Sequence, residues 1–254
     1  MSPAPASVTG RALAVLGAFD TSHPVLTLSE LSRRANLPLT TVHRLTTELT
    51  RWGALERDDE RRYRIGLRLW EVGSLAPRPI TLREAAMPYL EDLHAVTREN
   101  VQLAVLDGTE ALYVERISAP GAVTIRSRAG SRLPLHATGV GLVLLAFAPA
   151  EVQERVLAGP LKPFTAMTVV DPGQLRRRLA EVRRTQVAVC DRQIEMVSLS
   201  VAAPVFGAGD EVVAALSVVV RAGQPAARLI PVVRAAARGV TRSLGTPGRP
   251  APRR

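Results

Sequence analysis

Six residues in one short stretch are the chain's strongest candidates for chemistry: Thr40, Thr41, His43, Arg44, Thr47 and Arg51. At about 100° per residue, Thr40, His43, Arg44, Thr47 and Arg51 share one side of a helix. Val42, Leu45 and Leu49 share the other side, with Trp52 just beyond. The polar side is expected to hold no carboxylate and no bulky apolar group. Its hydroxyls, imidazole and guanidinium groups can hydrogen-bond to base edges and phosphates, and Arg44 suits a bidentate contact to guanine. Thr40 and Thr41, at the helix start, can hold a phosphate with help from the first amides. A solvated surface helix also shows polar residues opposite an apolar stripe, and His43 taken alone fits either reading.

The flanking elements decide between the two. Val8, Ala12, Leu13, Leu16 and Phe19 mark one face of a first helix over residues 8–19, broken at His23-Pro24. Thr27 and Glu30 form a capping-box signature, and Leu28, Leu31 and Ala35 supply the buried stripe of a second helix. Asn36 tolerates a left-handed turn, Leu37 can plug the corner, and Pro38 stops that helix from continuing. After the polar-faced helix, Ala54–Arg57 and Tyr63–Ile65 read as two short strands around a polar turn. Arg61 and Arg62 at the tip can track the DNA backbone or enter the minor groove, although Asp58, Asp59 and Glu60 dilute their field and a merely solvated turn stays open. Helix, turn, helix and wing in this order predict a winged helix-turn-helix over residues 7–66, with double-stranded DNA as partner. Such a head works best in pairs on a pseudo-palindromic operator, so a homodimer is expected.

The bulk numbers fit this without locating it. The chain has 254 residues, a formal net charge of +10 and a pI of about 11.2. Basic residues outnumber acidic ones 11 to 8 in residues 1–80 and 22 to 15 in 81–254, so charge alone does not mark a DNA-binding face. Cys190 is the only cysteine, which rules out an intrachain disulfide framework and suits a reducing cytoplasm. The start, MSPAPASVTG, lacks both the basic and the apolar region of a secretory signal. The longest apolar runs, near Val140–Ala148 and Val212–Val220, fall well short of the ~20 residues of a membrane helix. A cytoplasmic protein without membrane contact is expected.

Residues 1–6 and the tail 246–254, GTPGRPAPRR with its leading Gly245, are expected to be disordered. Leu67, Leu69, Trp70, Val72 and Leu75 make residues 67–75 too apolar for an isolated helix in water. That linker helix, within 67–80 and ended by Ala76-Pro-Arg-Pro79, is more useful as a dimer contact than in either core. The second domain, 81–245, opens with an amphipathic helix over Leu82–Val96. Strands are predicted at Val101–Leu106, Leu112–Arg116, Val123–Arg128, Ser198–Phe206 and Val212–Val220. Asp107-Gly108 and Gly207–Asp210 read as turns. GSRLPLHATGVGLVLLAFAP is a glycine-containing loop entering an apolar helix, Asp171-Pro172 caps a basic helix to Arg184, and a last helix covers Ala226–Leu244. Hairpin-linked strands between helices indicate an α+β domain with an antiparallel sheet.

The head SVTGRALAVLGAF with LSELSRRANLPLTTVHRLTTELTRWGALER, the central LPLHATGVGLVLLA, and AAPVFGAGDEVVAALSV resemble, in this order and spacing, the IclR family of bacterial transcriptional regulators. The resemblance covers Ser7 to about Leu244. It implies a winged helix-turn-helix, a linker helix in the dimer contact, assembly as a dimer or tetramer, and a C-terminal GAF-like effector-binding domain that takes small organic acids. By position it places the effector pocket near Ala122, Ile125, Gly139, Val140, Asp191, Ser200 and Ser217, where small residues leave room and amides and hydroxyls can bind a carboxylate. Leu142, Cys190, Val197, Ser200 and Val219 depart from frequent family residues toward a less polar pocket. A bulkier or more apolar acid is therefore favoured over a small dicarboxylate.

The expected function is a ligand-responsive regulator, a repressor rather than an activator, of a catabolic operon. His136, Asp191 and nearby serines can be assembled into a hydrolytic triad on paper, the alternative being an enzyme with a regulatory head. No nucleophile elbow, phosphate loop or metal-ligand spacing accompanies them, so no catalytic residue, metal or cofactor is expected. A ligand-free architectural DNA-binding protein is a third reading, against which the size of the second domain argues. Cys190 reads as a buried small residue and His136 as a cap of the following helix. Asp191 and Glu195 are open between a pocket and a solvated loop.

Overall fold

The computed structural model describes residues 7–20, 22–75 and 77–245, so the expectations for 1–6 and 246–254 lie outside the described residues. The chain divides into two compact units, Met1–Ile80 and Thr81–Arg254.

The first unit packs α1 (Val8–Leu16), α2 (Leu28–Ala35) and α3 (Leu39–Trp52) beside a three-stranded sheet of β1 (Val25–Leu26), β3 (Tyr63–Ile65) and β2 (Leu55–Arg57), in that spatial order. Thr27 caps α2 through the Glu30 amide while the Glu30 carboxylate takes the Thr27 N–H at 2.8 Å, completing the capping box. Asn36 ends the helix in the left-handed region at φ 53°, and Leu37 is buried behind it. Val15, Leu26, Leu31, Leu37, Val42, Leu45, Leu55 and Tyr63 form the core. The first helix ends three residues earlier than its apolar pattern predicts. Val15 is its buried residue, whereas Val8 and Leu13 are 54% and 62% exposed. The reason is that α1 is covered on one narrow line by α2 and α3, too narrow for all five apolar positions. Arg34 locks the α1–α2 connection by donating to the Ala18 carbonyl at 2.6 Å and to Asp20.

α4 (Leu67–Gly73) follows the wing and has no buried residue. α5 (Pro77–Thr97) then starts five residues before the predicted Leu82. Pro77 and Pro79 stand in its first turn, where backbone N–H groups have no intrahelical partner to lose. These prolines open a helix as well as closing the preceding one.

The second unit is built on a six-stranded antiparallel sheet, ordered β6 (Arg132–Pro134), β5 (Glu110–Ile117), β4 (Asn100–Asp107), β9 (Val212–Arg221), β8 (Ser198–Phe206), β7 (Ala188–Asp191). One face is covered by α5 and α9 (Ala226–Gly245). Leu82, Ala86, Leu90 and Leu93 meet Val233, Ala237 and Val240 over Leu103, Val201, Leu216 and Val218. The other face meets α6 (Gly139–Ala146), buried along its whole length, with α7 (Ala150–Ala158) and α8 (Pro172–Thr185) behind it. β6, β7, α7 and β1 are short or weakly patterned and were not anticipated.

Val123–Arg128 is not a strand. The alternation is real: Val123, Ile125 and Ser127 are buried and Thr124, Arg126 and Arg128 exposed. The segment lies over the sheet's second face, with Val123 and Ile125 against Val219. Side chains replace the ladder: Asn100 Nδ2 donates to the Val123 carbonyl at 2.8 Å and Arg116 Nη1 to that of Ser127 at 2.8 Å.

Two outcomes follow. A Cβ at Gly239 would sit 2.3 Å from the Tyr89 ring, so Gly239→Ala should separate α9 from α5 and cost about 1–3 kcal/mol in chemical denaturation. The His23 hydrogen bond, chiefly, lowers the Asp20 carboxyl from 3.8 to about 2. A depressed acid stabilises above its unfolded value, so the first unit should lose this contribution as pH falls from about 4 toward 2. An acid-unfolding limb unchanged in Asp20→Asn would remove Asp20 from that role.

Candidate nucleic-acid interface and ligand cavity

On α3, Val42, Leu45 and Thr46 are buried and Leu49 half-buried, while Thr40, His43, Arg44, Thr47 and Arg51 are exposed together. Thr41 is half-buried at the helix start. Trp52 is exposed, with the Arg68 guanidinium 5.0 Å from its ring centroid. The face is not free of carboxylates, contrary to expectation. Glu48 flanks it and binds Arg51 at 2.7 Å, because an i,i+3 spacing brings the two together. Thr47 turns its hydroxyl back to the His43 carbonyl at 2.9 Å. Arg44 has no such engagement among the described residues and is the cation most available to a base edge.

The wing tip distinguishes its two arginines. Arg62 is engaged: its amide and its Nε donate to Asp58 at 2.8 and 3.0 Å, and Glu60 lies 3.1 Å away. The Arg62 amide, first, holds the Asp58 carboxyl below its ordinary value. Arg61 is exposed in the left-handed region at φ 63° and makes no ion pair among the described residues. A phosphate contact falls to Arg61 more readily than to Arg62.

In the second unit a cavity of about 390 Å³, its open mouth included, lies on the sheet's second face. The sheet supplies Gln102, Tyr113, Leu133, Cys190, Ser198, Ser200 and Val219. Ile125, Arg126 and Ser127 roof it, Gln193, Ile194 and Glu195 form a second lip, and Thr138 and Gly139 bring the start of α6 to its wall. A Cβ at Gly139 would meet Ser200 Oγ at 2.5 Å, which is why the helix can approach β8 so closely. Ser217 Oγ donates to Gln102 Oε1 at 3.2 Å, and Gln102 Nε2 donates to Ser127 Oγ. Arg116 Nη2 donates to Asn100 Oδ1 at 3.0 Å, completing a polar lattice between sheet and roof.

Charge is concentrated at the lips. Arg126 Nε faces Glu195 Oε1 at 3.5 Å across the mouth. Burial raises the Glu195 carboxyl, and Arg126 opposes the rise. Burial, followed by the Arg128 charge, lowers the Arg116 guanidinium from its ordinary value. Cys190, hydrogen-bonded to the Ala137 carbonyl at 3.3 Å, is pushed up to about 12 by burial and is no thiolate nucleophile. A pocket with apolar walls, hydroxyl and amide donors and the Arg126 guanidinium at its mouth suits an organic anion.

Residues 8–59 match the family model of the IclR helix-turn-helix domain, and residues 77–242 that of the C-terminal domain of bacterial IclR transcriptional regulators. The chain belongs to the IclR family. It is 32% identical over 209 residues to the HTH-type transcriptional regulator KipR of Bacillus subtilis, covering 82% of this chain and 83% of the relative. XynR of Escherichia coli matches at the same identity and coverage. Among solved structures, an IclR homologue from Microbacterium hydrocarbonoxydans, complexed with 4-hydroxybenzoate, aligns with a TM-score of 0.90 at 38% identity, covering 94% of this chain and 99% of its own. An IclR transcriptional regulator from Silicibacter sp. TM1040 aligns at 0.81 and 29%, covering 96% and 98%. An IclR-family chain is a DNA-binding, effector-responsive transcriptional regulator.

Of the pocket residues carried over from the family, Ile125, Gly139 and Ser200 line the cavity. Ser217 is fully buried behind it and reaches it through Gln102. Ala122 is half-buried in the roof away from the lining, and Val140 is buried one residue into α6. Asp191 ends β7 and points to a different groove, bound to Arg192 at 3.0 Å. Glu195, not Asp191, is the carboxyl at the cavity. His136 does not cap α6. It sits in a 3-10 turn, Leu135–Ala137, bonded to the Lys162 carbonyl at 3.0 Å, and Thr138 is the cap, accepting from the Gly141 amide. Burial lowers the His136 imidazole from its ordinary value. The missed lining residues Gln102 and Ser127 carried one signal: each is a polar residue at an inward position of an alternating apolar run.

Arg44→Ala should weaken operator binding by about 1–3 kcal/mol and relax sequence preference at one base, whereas Arg62→Ala should cost much less. Gel-shift titrations at fixed salt measure both, and equal losses would end the distinction between α3 and the wing.

Proposed function

We propose that this regulator represses a catabolic operon and responds to an aromatic or otherwise apolar organic acid held in the second unit's cavity. The carrying observation is the cavity itself: largely apolar walls, with Arg126 at the mouth and Arg116 and Arg128 nearby against one carboxyl, Glu195. The structural relative complexed with 4-hydroxybenzoate supports the aromatic class. Two relatives named as transcriptional repressors, AllR of Klebsiella pneumoniae and of Escherichia coli, support the sign. The residue set is that of a binding site rather than of a catalyst.

The operating unit is a homodimer or a tetramer in the cytoplasm, each chain comprising a DNA-binding domain (7–66), a linker (67–80) and an effector domain (81–245). Trp70 and Leu75 of the linker segment are 68% and 78% exposed, an apolar surface that a second copy would cover. A ligand changes operator affinity only by favouring one arrangement of two heads over another, and the linker joins the two sites. DNA affinity should fall steeply with salt.

Calorimetric titration tests this reading with 4-hydroxybenzoate, benzoate and succinate on the full chain. An aromatic acid should bind saturably, succinate weakly or not at all, and Arg126→Gln should lose about tenfold in affinity. The same acid should release or retain operator DNA in a gel shift. Binding of none of the acids, with operator affinity unmoved, would overturn it.

A further inference from the structure

The cavity of the second unit carries a contradiction in charge. Among its described lining residues Arg126 is the one guanidinium and Glu195 the one carboxylate, so the mouth is neutral before any acid enters. Arg116 stands close by but is committed to the roof, donating to the Ser127 carbonyl at 2.8 Å and to Asn100 Oδ1 at 3.0 Å. An organic anion brought to Arg126 with Glu195 still in place would set two carboxylates on one guanidinium. Like charges in contact repel, the more so where water is partly excluded. One of the two carboxylates has to leave.

Glu195 is placed to be there when no ligand is. Its backbone is anchored: its carbonyl accepts from the Ser198 amide at 3.3 Å and hydroxyl at 3.4 Å, and Thr168 Oγ1 donates to the Gln193 carbonyl at 2.6 Å. From that lip the side chain, 15% exposed, crosses the mouth and brings Oε1 to 3.5 Å from Arg126 Nε. Burial raises the Glu195 carboxyl, while the Arg126 charge, the Arg126 backbone N–H and then the Arg116 charge lower it. The groups that hold Glu195 as an anion are therefore those of the roof segment and its support, on which an incoming carboxylate would also draw. A strong charge-assisted hydrogen bond is shorter, about 2.7–2.9 Å, so a ligand that makes one displaces Glu195 at little cost.

We propose that Glu195 is an internal competitor of the effector, its carboxylate occupying in the free protein the place on Arg126 that the acid takes. The inference rests on the reading of this cavity as an acid-binding site. The acid's apparent affinity is then its intrinsic affinity reduced by the fraction of chains in which Arg126 is open. A neutral ring compound leaves the Arg126–Glu195 pair in place, so Glu195 tunes the response to anions alone.

The test is calorimetric titration of the full chain with 4-hydroxybenzoate and with neutral 4-hydroxybenzamide. Glu195→Gln keeps the size of the side chain and removes its charge. It should bind the acid about tenfold more tightly and the amide no better. The gain should vanish in the Arg126→Gln background, because the place competed for is gone. If Glu195→Gln does not fold, Glu195→Asp, which draws the carboxylate back from Arg126, should show a smaller gain of the same kind. Acid binding that is unchanged or weaker in a folded Glu195→Gln chain would overturn the inference and leave the acid-binding reading intact. So would an equal gain for the amide, or a gain that persists without Arg126. Acid binding by neither the natural chain nor the variants would overturn that reading, and the inference with it.

Discussion

A sheet of six antiparallel strands has two faces to keep dry, and this chain covers them unequally. α5 and α9 close the first face with mainly aliphatic side chains and the Tyr89 ring. On the second, α6 and α8 cover only part of the surface, and the rest is roofed by irregular backbone at residues 118–131 and 192–197. Irregular backbone brings carbonyls and amides that no ladder satisfies, and burying them unpaired costs about 1–3 kcal/mol each. The sheet therefore turns Asn100, Gln102 and Arg116 toward that roof, where they take the Val123 carbonyl and the Ser127 carbonyl and hydroxyl. Most of the cavity's polar character follows from that constraint.

The same solution explains why the cavity suits a sensor. A roof joined to a sheet by side-chain hydrogen bonds can shift without breaking a strand pair, whereas a seventh strand could not. Arg126 and Ser127, which line the cavity, lie on the segment whose carbonyls those bonds hold. Ligand contacts and roof position are thus mechanically one variable. The opposite lip, held by Thr165 and Thr168 through the Arg192 and Gln193 carbonyls, presents Glu195 to Arg126. An anionic ligand competes with Glu195 for that guanidinium, so occupancy alters the bond across the mouth.

How much of this was legible in the chain depends on whether a residue's partner was local. Thr27 with Glu30, Asn36, Asp171 and the turn at Asp107-Gly108 act within four residues, and their roles were readable directly. The α3 face is readable because helical period alone decides it, but period does not show that Glu48, at its edge, turns onto Arg51 as a counter-charge. Residues 123–128 show the limit: period-2 burial fixes which side chains point inward, yet says nothing about whether a strand or polar side chains receive the backbone. β7 was hidden for a related reason. Its four residues are too few to show a period, and placing Asp191 on a strand end turns it away from the cavity. His136 and Thr138 are two residues apart, and only the 3-10 turn between them decides which one caps α6.

The charge distribution separates affinity from specificity in the first unit. Ion pairs within the head already engage Arg34, Arg51, Arg62 and Arg64, so part of its positive charge is neutralised before DNA arrives. Arg44 carries no such pair among the described residues, and one bidentate base contact discriminates by only about 1–3 kcal/mol. A single head of this kind cannot separate one operator from a genome of competing sites, for which about 4–10 kcal/mol is needed. Two heads on one duplex double the base contacts and convert the second binding event into an intramolecular one. The exposed Leu67, Trp70 and Val72 of α4 fit that arrangement: in the proposed pair of chains a second copy would cover them, and pairing the heads is what would make weak individual contacts selective.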